Sequence, residues 1–138
     1  MTDDFTKRLT ELLTIWAGIY EDLVLILTTL PIPIGLPPVL GPHLGKRTRE
    51  YMLRVRGLLG DQPTEAKGTI SKAILLWVLS FTLIKAYEDT REEWLGDGAR
   101  LLLEITRFIT EAAGEVRAKE VRAEREFQRK RSQGEQSE

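Results

Sequence analysis

The proline-rich stretch PIPIGLPPVLGP, residues 31–42, is the feature that most constrains how this chain folds. It holds five of the six prolines in the 138 residues. Proline supplies no amide donor and disfavours helix at the residue before it, so a helix that approaches this stretch must end at Pro31. The Pro-Ile alternation and the Pro-Pro pair favour an extended, polyproline-like backbone. Because apolar side chains alternate with the prolines, residues 31–45 are predicted to be a packed arm, ordered against another subunit.

The hydrophobic pattern on either side of this arm predicts an all-α fold, an elongated bundle of about four helices in one domain, 1–138. Apolar residues recur at helical spacing through the first thirty residues, and turn signals lie near residue 60 and at the GDG of 96–98. The predicted elements are a first helix (1–30), the proline-rich arm (31–45), a basic helix (46–60), a buried helix (64–95) and a projecting C-terminal helix (98–133).

The third predicted helix is apolar nearly all round between Ile70 and Tyr87, which predicts that it forms the buried centre of the fold. Trp16, Trp77 and Trp94 stand among leucines at helical spacing, a pattern more typical of core residues than of a stacking platform. We expect two sets of side chains to pack together, Leu76, Trp77, Leu79, Phe81 and Leu83 of the third helix and Leu102, Ile105 and Ile109 of the fourth.

The C-terminal part of the chain has little to bury, because only Val116, Val121 and Phe127 are large and apolar after Ala113. Glutamate precedes lysine by four residues at 115/119 and at 126/130, the orientation that supports an exposed helix. This stretch is therefore predicted to continue the last helix as a charged rod.

Catalytic and metal-binding motifs are absent from the sequence. There is no cysteine, and the single histidine, His43, lies in the proline-rich arm, where a loop histidine is the simpler interpretation. The carboxylates at 88, 89, 92 and 93 lack the Glu-x-x-His pairs of di-metal bundles, and no phosphate-binding loop occurs. We therefore expect no enzymatic activity, no cofactor and no metal. The start of the chain does not resemble a signal peptide, and the uncharged residues 73–84 are too few to cross a bilayer.

The basic helix is the one constellation with a binding argument. The chain has a net charge of −1, yet residues 46–60 carry five basic residues and one acidic residue. An apolar face of Tyr51, Met52, Val55, Leu58 and Leu59 stands opposite the predicted nucleic-acid-binding residues, Lys46, Arg47, Arg49, Arg54 and Arg56. Four of those five are arginine, whose planar fork suits phosphate oxygens, so any contact is expected to be independent of base sequence. A helix face that is merely solvated remains the alternative.

The order of helix, PIPIGLPPVLGP kink, basic helix and bundle resembles the α-helical major capsid (nucleocapsid) proteins of filamentous viruses of thermophilic archaea. The resemblance covers most of the chain as organisation only, and no diagnostic motif is matched. It implies a structural subunit that wraps linear double-stranded DNA in a filamentous virion. The implied partners are the nucleic acid and either further copies of the chain or a related sister subunit.

Two alternatives remain open from the sequence. One is a helical adaptor or small subunit of a multiprotein complex, including a complex guided by nucleic acid. The other is a membrane-associated assembly protein, in which the arm and the first helix make peripheral contact with lipid. A chain that is not viral is expected in the cytoplasm.

Overall fold

A computed structural model of the chain describes residues 3–35 and 44–136. Within these ranges the regular structure is helical and no strand occurs, which confirms the predicted all-α helical bundle. The helices are α1 (Asp4–Leu27), α2 (Leu44–Leu58), α3 (Lys67–Thr90) and α4 (Glu93–Gln136), with a 3₁₀ turn at Leu59–Asp61.

Helix α1 begins and ends where local chemistry predicts. The Asp3 carboxylate accepts a hydrogen bond from the Thr6 amide at 2.7 Å, which caps the first turn. The helix ends at Leu27, shortly before Pro31 removes the next donor. One face of α1 is buried along its length: Leu12, Trp16, Ile19, Tyr20, Leu23 and Leu27.

Two tryptophans join α1 to α3 at the centre of the fold. The rings of Trp16 and Trp77 stack with centroids 4.2 Å apart. Each indole N–H donates to the backbone carbonyl of the other tryptophan at 3.0 Å. Both polar atoms are thus satisfied in a buried environment, which lets two large rings fill the core without an orphaned donor. The predicted burial of these two residues is confirmed.

The predicted turn at 96–98 is wrong, because these residues lie inside α4. The chain reverses instead at Arg91, which has a left-handed backbone (φ 58°) and whose guanidinium lies over the Phe5 ring. A Cβ at Gly96 would lie 3.0 Å from both Arg8 and Tyr87. Glycine at this position therefore serves close packing against α1 and α3 and does not end a helix.

The predicted packing between α3 and α4 is partly wrong. Trp77 is fully buried, but Leu79 and Ile105 are exposed by 44% and 43%. Their helices meet through smaller residues, and the Ser80 and Thr106 hydroxyls lie 3.3 Å apart. Small side chains allow the two backbones to approach closely, which leaves several large apolar residues on the flanks. The buried side of α4 consists of Leu95, Ala99, Leu103, Thr106, Thr110, Ala113 and Arg117.

The first part of the proline-rich arm is held by its own chain. The Ile32 amide donates to the Gln62 side-chain oxygen at 3.0 Å, and the Gln62 amide group donates back to the Ile32 carbonyl at 2.7 Å. Ile34 is half-buried against the core. Residues 31–35 thus pack on their own chain. The predicted contact of the arm with a second subunit stays a prediction. The rest of the arm, including His43, lies outside the described residues.

Helix α4 extends past the other helices, as predicted, and continues to Gln136. At 44 residues it is about 66 Å long. The side chains from 122 to 134 are all exposed. The ion pairs expected at 115/119 and 126/130 are not among those within 4 Å in the described residues, whereas Arg117 and Glu120 pair at 2.7 Å.

One helix in the described part of the chain, α3, is long and apolar enough to cross a membrane by length and composition. The buried helix of a soluble bundle passes the same test, and 33% of the most apolar window of α3 is buried within this fold.

Candidate nucleic-acid interface

Helix α2 lies on the flank of α3 and buries one side there. Thr48, Met52, Val55 and Leu59 are the buried positions on this side, at helical spacing. Of the predicted apolar face, Tyr51 is only half-buried and Leu58 is exposed. The opposite half of α2 therefore faces solvent, and this half carries most of the basic side chains.

The five predicted phosphate contacts separate into two groups. Arg49 and Arg56, seven residues apart, turn toward α3. The Arg49 guanidinium lies 4.4 Å from the centre of the Phe81 ring, and Arg56 Nε donates to the Ser71 carbonyl at 3.2 Å. The other three residues, Lys46, Arg47 and Arg54, are exposed on the solvent side. The structure thus brings three of the five together on an accessible surface and involves the other two in contacts with α3.

The accessible group has a geometry suited to a polyanion. Arg47 and Arg54 are two helical turns apart, about 10.5 Å along the axis. Lys46 stands beside this row. No ion pair within 4 Å in the described residues involves these three side chains. Glu50 is the acidic residue among them, three residues from Arg47 and four from Lys46 and Arg54, so the surface keeps a net positive charge.

Arg54 also borders an apolar groove of about 450 Å³ between α2 and the start of the arm. Its lining includes Ile32, Ile34, Tyr51 and Leu58. The groove therefore adds apolar surface next to the basic row, and the Gln62 amide in its lining is already hydrogen-bonded to the Ile32 backbone.

The projecting half of α4 carries a second basic surface that the sequence analysis did not single out. Lys119, Arg122, Arg125 and Arg129 follow one another at spacings of three, three and four residues, which places them on one side of a helix. Glu126 lies within the same surface. The spacing of these basic residues could have indicated a basic side of the helix. Because glutamates are interleaved with them, the stretch was interpreted as a solvated rod of balanced charge.

Other charged residues singled out by position belong to the scaffold. Glu93 and Asp97 both accept hydrogen bonds from Arg8, the former at 2.6 Å, so they tie α4 to α1. Glu88 pairs with Lys85 at 3.3 Å. In the described residues there is no group of three or more acidic or histidine side chains arranged to hold a metal ion.

Arg117 was also missed, and it is the most buried charged side chain of the described residues. Its guanidinium donates to Glu120, to the Thr29 hydroxyl and to the Thr29 carbonyl. Burial raises the pKa of Glu120, but hydrogen bonds from Thr64 and Arg117, the charge of Arg117 and the Glu65 amide outweigh it. The net effect lowers that pKa. This cluster joins the end of α1 and the start of α3 to α4.

Comparison with known proteins identifies no relative: no protein-family model, no curated protein and no solved structure matches this chain. The functional argument therefore rests on two exposed basic surfaces. They are the α2 row of Lys46, Arg47 and Arg54, and the side of α4 that carries Lys119, Arg122, Arg125 and Arg129.

Proposed function

We propose that this chain is a non-catalytic structural subunit that holds a nucleic acid by its phosphate backbone, as a subunit of a helical nucleocapsid on linear double-stranded DNA. The observation that carries the proposal is the accessible α2 row. Lys46, Arg47 and Arg54 are exposed side by side, and no ion pair within the described residues neutralises them. In a chain of net charge −1, such a concentration of positive charge favours an anionic partner.

Phosphate is the part of the nucleic acid that these residues suit. Arginine forms paired hydrogen bonds with phosphate oxygens, and such contacts position a protein without reading sequence. The basic side of α4 provides further contacts of the same kind. Affinity is therefore expected to fall steeply with salt and to be similar on unrelated sequences.

A salt titration tests the α2 row. Binding to two unrelated linear DNA duplexes is measured by fluorescence anisotropy at several salt concentrations. The double variant Arg47→Gln/Arg54→Gln should flatten the slope of log affinity against log salt by up to about two units, equally on both duplexes. An unchanged slope would remove α2 from the interface.

The matched control removes the same two charges elsewhere. Arg100 and Arg107 are exposed on α4 and also stand seven residues apart, and Arg100 pairs with Glu104 at 3.5 Å. Arg100→Gln/Arg107→Gln should leave the slope near that of the parent. If both double variants flatten the slope equally, binding follows net charge alone, and the proposed interface is contradicted.

Electron microscopy tests the assembly. The parent with linear duplex DNA should form filaments of uniform width, and Arg47→Gln/Arg54→Gln should form fewer of them. Discrete particles of fixed size in place of filaments would contradict the nucleocapsid proposal and favour the adaptor subunit.

A further inference from the structure

A broad apolar surface covers the side of the α3–α4 pair that faces away from α1. We call it the outer face, and its exposed members are Leu75 and Leu79 of α3 and Trp94, Leu101, Ile105 and Phe108 of α4. These six residues are between 37% and 70% exposed. At about 150–250 Å² for a large side chain, they present on the order of 500–800 Å² of apolar surface. That area exceeds most patches on monomers and approaches the roughly 800 Å² that each partner contributes to a standard interface.

The spacing of the outer face on α4 is that of a helix-pairing seam. Trp94, Leu101 and Phe108 are seven residues apart, and Ile105 and Ala112 each follow the preceding seam residue by four. This is the alternation of a 3.5-residue repeat, which keeps one stripe facing a partner helix. Within the chain, α4 uses a different stripe, the one that contains Ala99, Leu103 and Thr106. The second stripe thus has the pattern of a packed helix surface, and no helix of the described residues packs against it.

The two edges of the outer face carry opposite charge. At about 100° per residue, Glu104, Glu111 and Glu115 follow the edge of α4 that lies away from α3, with Arg100 and Arg107 directly behind them. Arg100 pairs with Glu104 at 3.5 Å, so the acidic side chains of this edge without an ion pair in the described residues are Glu111 and Glu115. The opposite edge is the flank of α3 where α2 packs, and there Arg56 donates to the Ser71 carbonyl. Two carboxylates on one edge and Arg56 on the other make the face complementary to itself when one edge is laid on the other.

We propose that the outer face is the interface of a symmetric homodimer in which α3 of each protomer lies on α4 of its partner. A twofold axis parallel to these helices lays the basic edge of one protomer over the acidic edge of the other. It also keeps every residue at its own height along the bundle. Contacts across the axis therefore follow from the register of α3 and α4 within one chain.

That register is set by two contacts. The Ser80 hydroxyl lies 3.3 Å from that of Thr106, and the Thr64 hydroxyl donates to Glu120 at 2.7 Å. Because α3 and α4 are antiparallel, residue numbers rise along one helix as they fall along the other. Leu79 of α3 is therefore level with Arg107 of α4 along the bundle axis. Ser71, and with it Arg56, stands near the height of Glu115.

In the dimer, Leu79 therefore packs between the partner's Ile105 and the partner's Phe108. Arg56 lies closest to the partner's Glu111 and the partner's Glu115. The inference goes beyond the proposed function and does not depend on it, because Arg47 and Arg54 lie outside this interface and no nucleic acid is involved.

A lipid bilayer is the other apolar partner to weigh. Glu104 already pairs with Arg100 at 3.5 Å. Immersion in lipid would desolvate Glu111 and Glu115, which have no ion pair in the described residues, without supplying counter-charges. A second copy supplies them from its basic edge. The charge pattern therefore favours the protein partner.

The oligomeric state of the full chain tests the interface. Sedimentation equilibrium over a concentration series, without nucleic acid or lipid, should show a dimer for the parent. Phe108→Glu should raise the dimer dissociation constant at least about 100-fold, while circular dichroism stays unchanged because this side chain is exposed in the protomer. Phe127→Glu is the matched control, since Phe127 is similarly exposed but lies on the projecting half of α4, and it should dimerise like the parent.

A charge exchange tests the register. Arg56→Glu and Glu111→Arg should each weaken the dimer by about tenfold, and the double variant should recover to within about threefold of the parent. A double variant as weak as the singles would overturn the parallel twofold arrangement.

The remaining outcomes all count against the proposal. A parent that stays monomeric at every concentration, or a dimer unaffected by Phe108→Glu, would overturn it. Flotation with phosphatidylcholine–phosphatidylglycerol vesicles is the third such outcome. If the parent floats with the vesicles and Phe108→Glu does not, lipid covers this face and the proposal is overturned. Failure here with an intact salt slope for Arg47 and Arg54 would leave the proposed function standing.

Discussion

The two halves of α4 belong to one continuous helix but are stabilised by different means. From Glu93 to Val121 the helix packs on α1 and α3 and has a buried stripe that ends at Arg117. From 122 onward every described side chain is exposed. Burial stabilises the first half, while the second depends on intrinsic propensity and its own side-chain pairs. A helix without a break in its backbone can thus contain both a core element and a solvated rod.

The junction between the halves is polar. Arg117 and Glu120 pair at 2.7 Å, and Glu120 also accepts from the Thr64 hydroxyl and from the Glu65 amide at 3.2 Å. Arg117 in turn holds the Thr29 hydroxyl at 3.2 Å. These hydrogen bonds therefore join the C-terminal end of α1 and the N-terminal end of α3 to α4, at the point where the apolar contacts of α4 end. The projecting rod begins beyond this point.

The largest contrast between the halves is expected from loss of apolar side chains. Leu103→Ala removes a fully buried side chain from the first half and should lower the free energy of unfolding by about 2–5 kcal/mol. Phe127→Ala, on the exposed half, should change it by less than about 0.5 kcal/mol. Urea denaturation followed by circular dichroism measures both. A comparable loss from Phe127→Ala would show that the rod is packed.

The junction should give a smaller contrast. Arg117→Met keeps the length of the side chain but leaves Glu120 partly buried without its counter-charge, and should lower the free energy of unfolding by about 1–3 kcal/mol. Arg122→Met makes the same change five residues further along, at an exposed position, and is expected to be nearly neutral. If the two variants unfolded alike, Arg117 would not join the helices as described above.

Acid should weaken the junction specifically. The pKa of Glu120 lies below its ordinary value of 4.5, so its stabilisation is present above that value and is lost as pH falls through the lower, folded-state pKa. Glu120→Gln should therefore be less stable than the parent at pH 7, and the difference should shrink as pH falls below about 4.5. Glu126→Gln, on the rod, should follow the parent across a series of melts from pH 3 to 7. A difference that stayed constant with pH would assign the effect to shape and not to charge.

The smallest effect is expected from a glycine in the rod. Ala123→Gly should weaken the local helix by about 1 kcal/mol and raise amide hydrogen exchange in the projecting half, without a change in global unfolding. Ala113→Gly, at a buried position, should instead lower global stability. A global effect from Ala123→Gly would mean that the two halves unfold as one unit.

Several features of this fold could be predicted from local patterns. The start and end of α1 follow from Asp3 and Pro31, and the charged C-terminal extension follows from the loss of apolar residues after Ala113. Trp16 and Trp77 were expected in the core and are buried. In each case the structure depends on residues within one or two helical turns, or on a helix that has a single apolar side.

The wrong predictions share a different cause. The Gly-Asp-Gly of 96–98 reads locally as a turn, but Gly96 lies against Arg8 and Tyr87, which no local pattern shows. Leu79 was expected inside because α3 is apolar nearly all round, and such a helix has no single side that periodicity marks as buried. Trp94 was expected inside and is 66% exposed. The five predicted phosphate contacts also fall into two groups because of a tertiary contact. Arg49 and Arg56 contact α3, whereas Lys46, Arg47 and Arg54 do not.

The sequence by itself determined that this chain is helical, where proline must interrupt it, and that positive charge follows that interruption. These are properties of dihedral preference, side-chain period and local charge, and each acts over a few residues. Only the tertiary structure decided which side of α3 is covered, which arginines remain accessible and which stripe of α4 is left for a partner. Those outcomes depend on how closely helices approach, and that distance is set by small residues such as Gly96, Ser80 and Thr106 meeting across positions far apart in the chain.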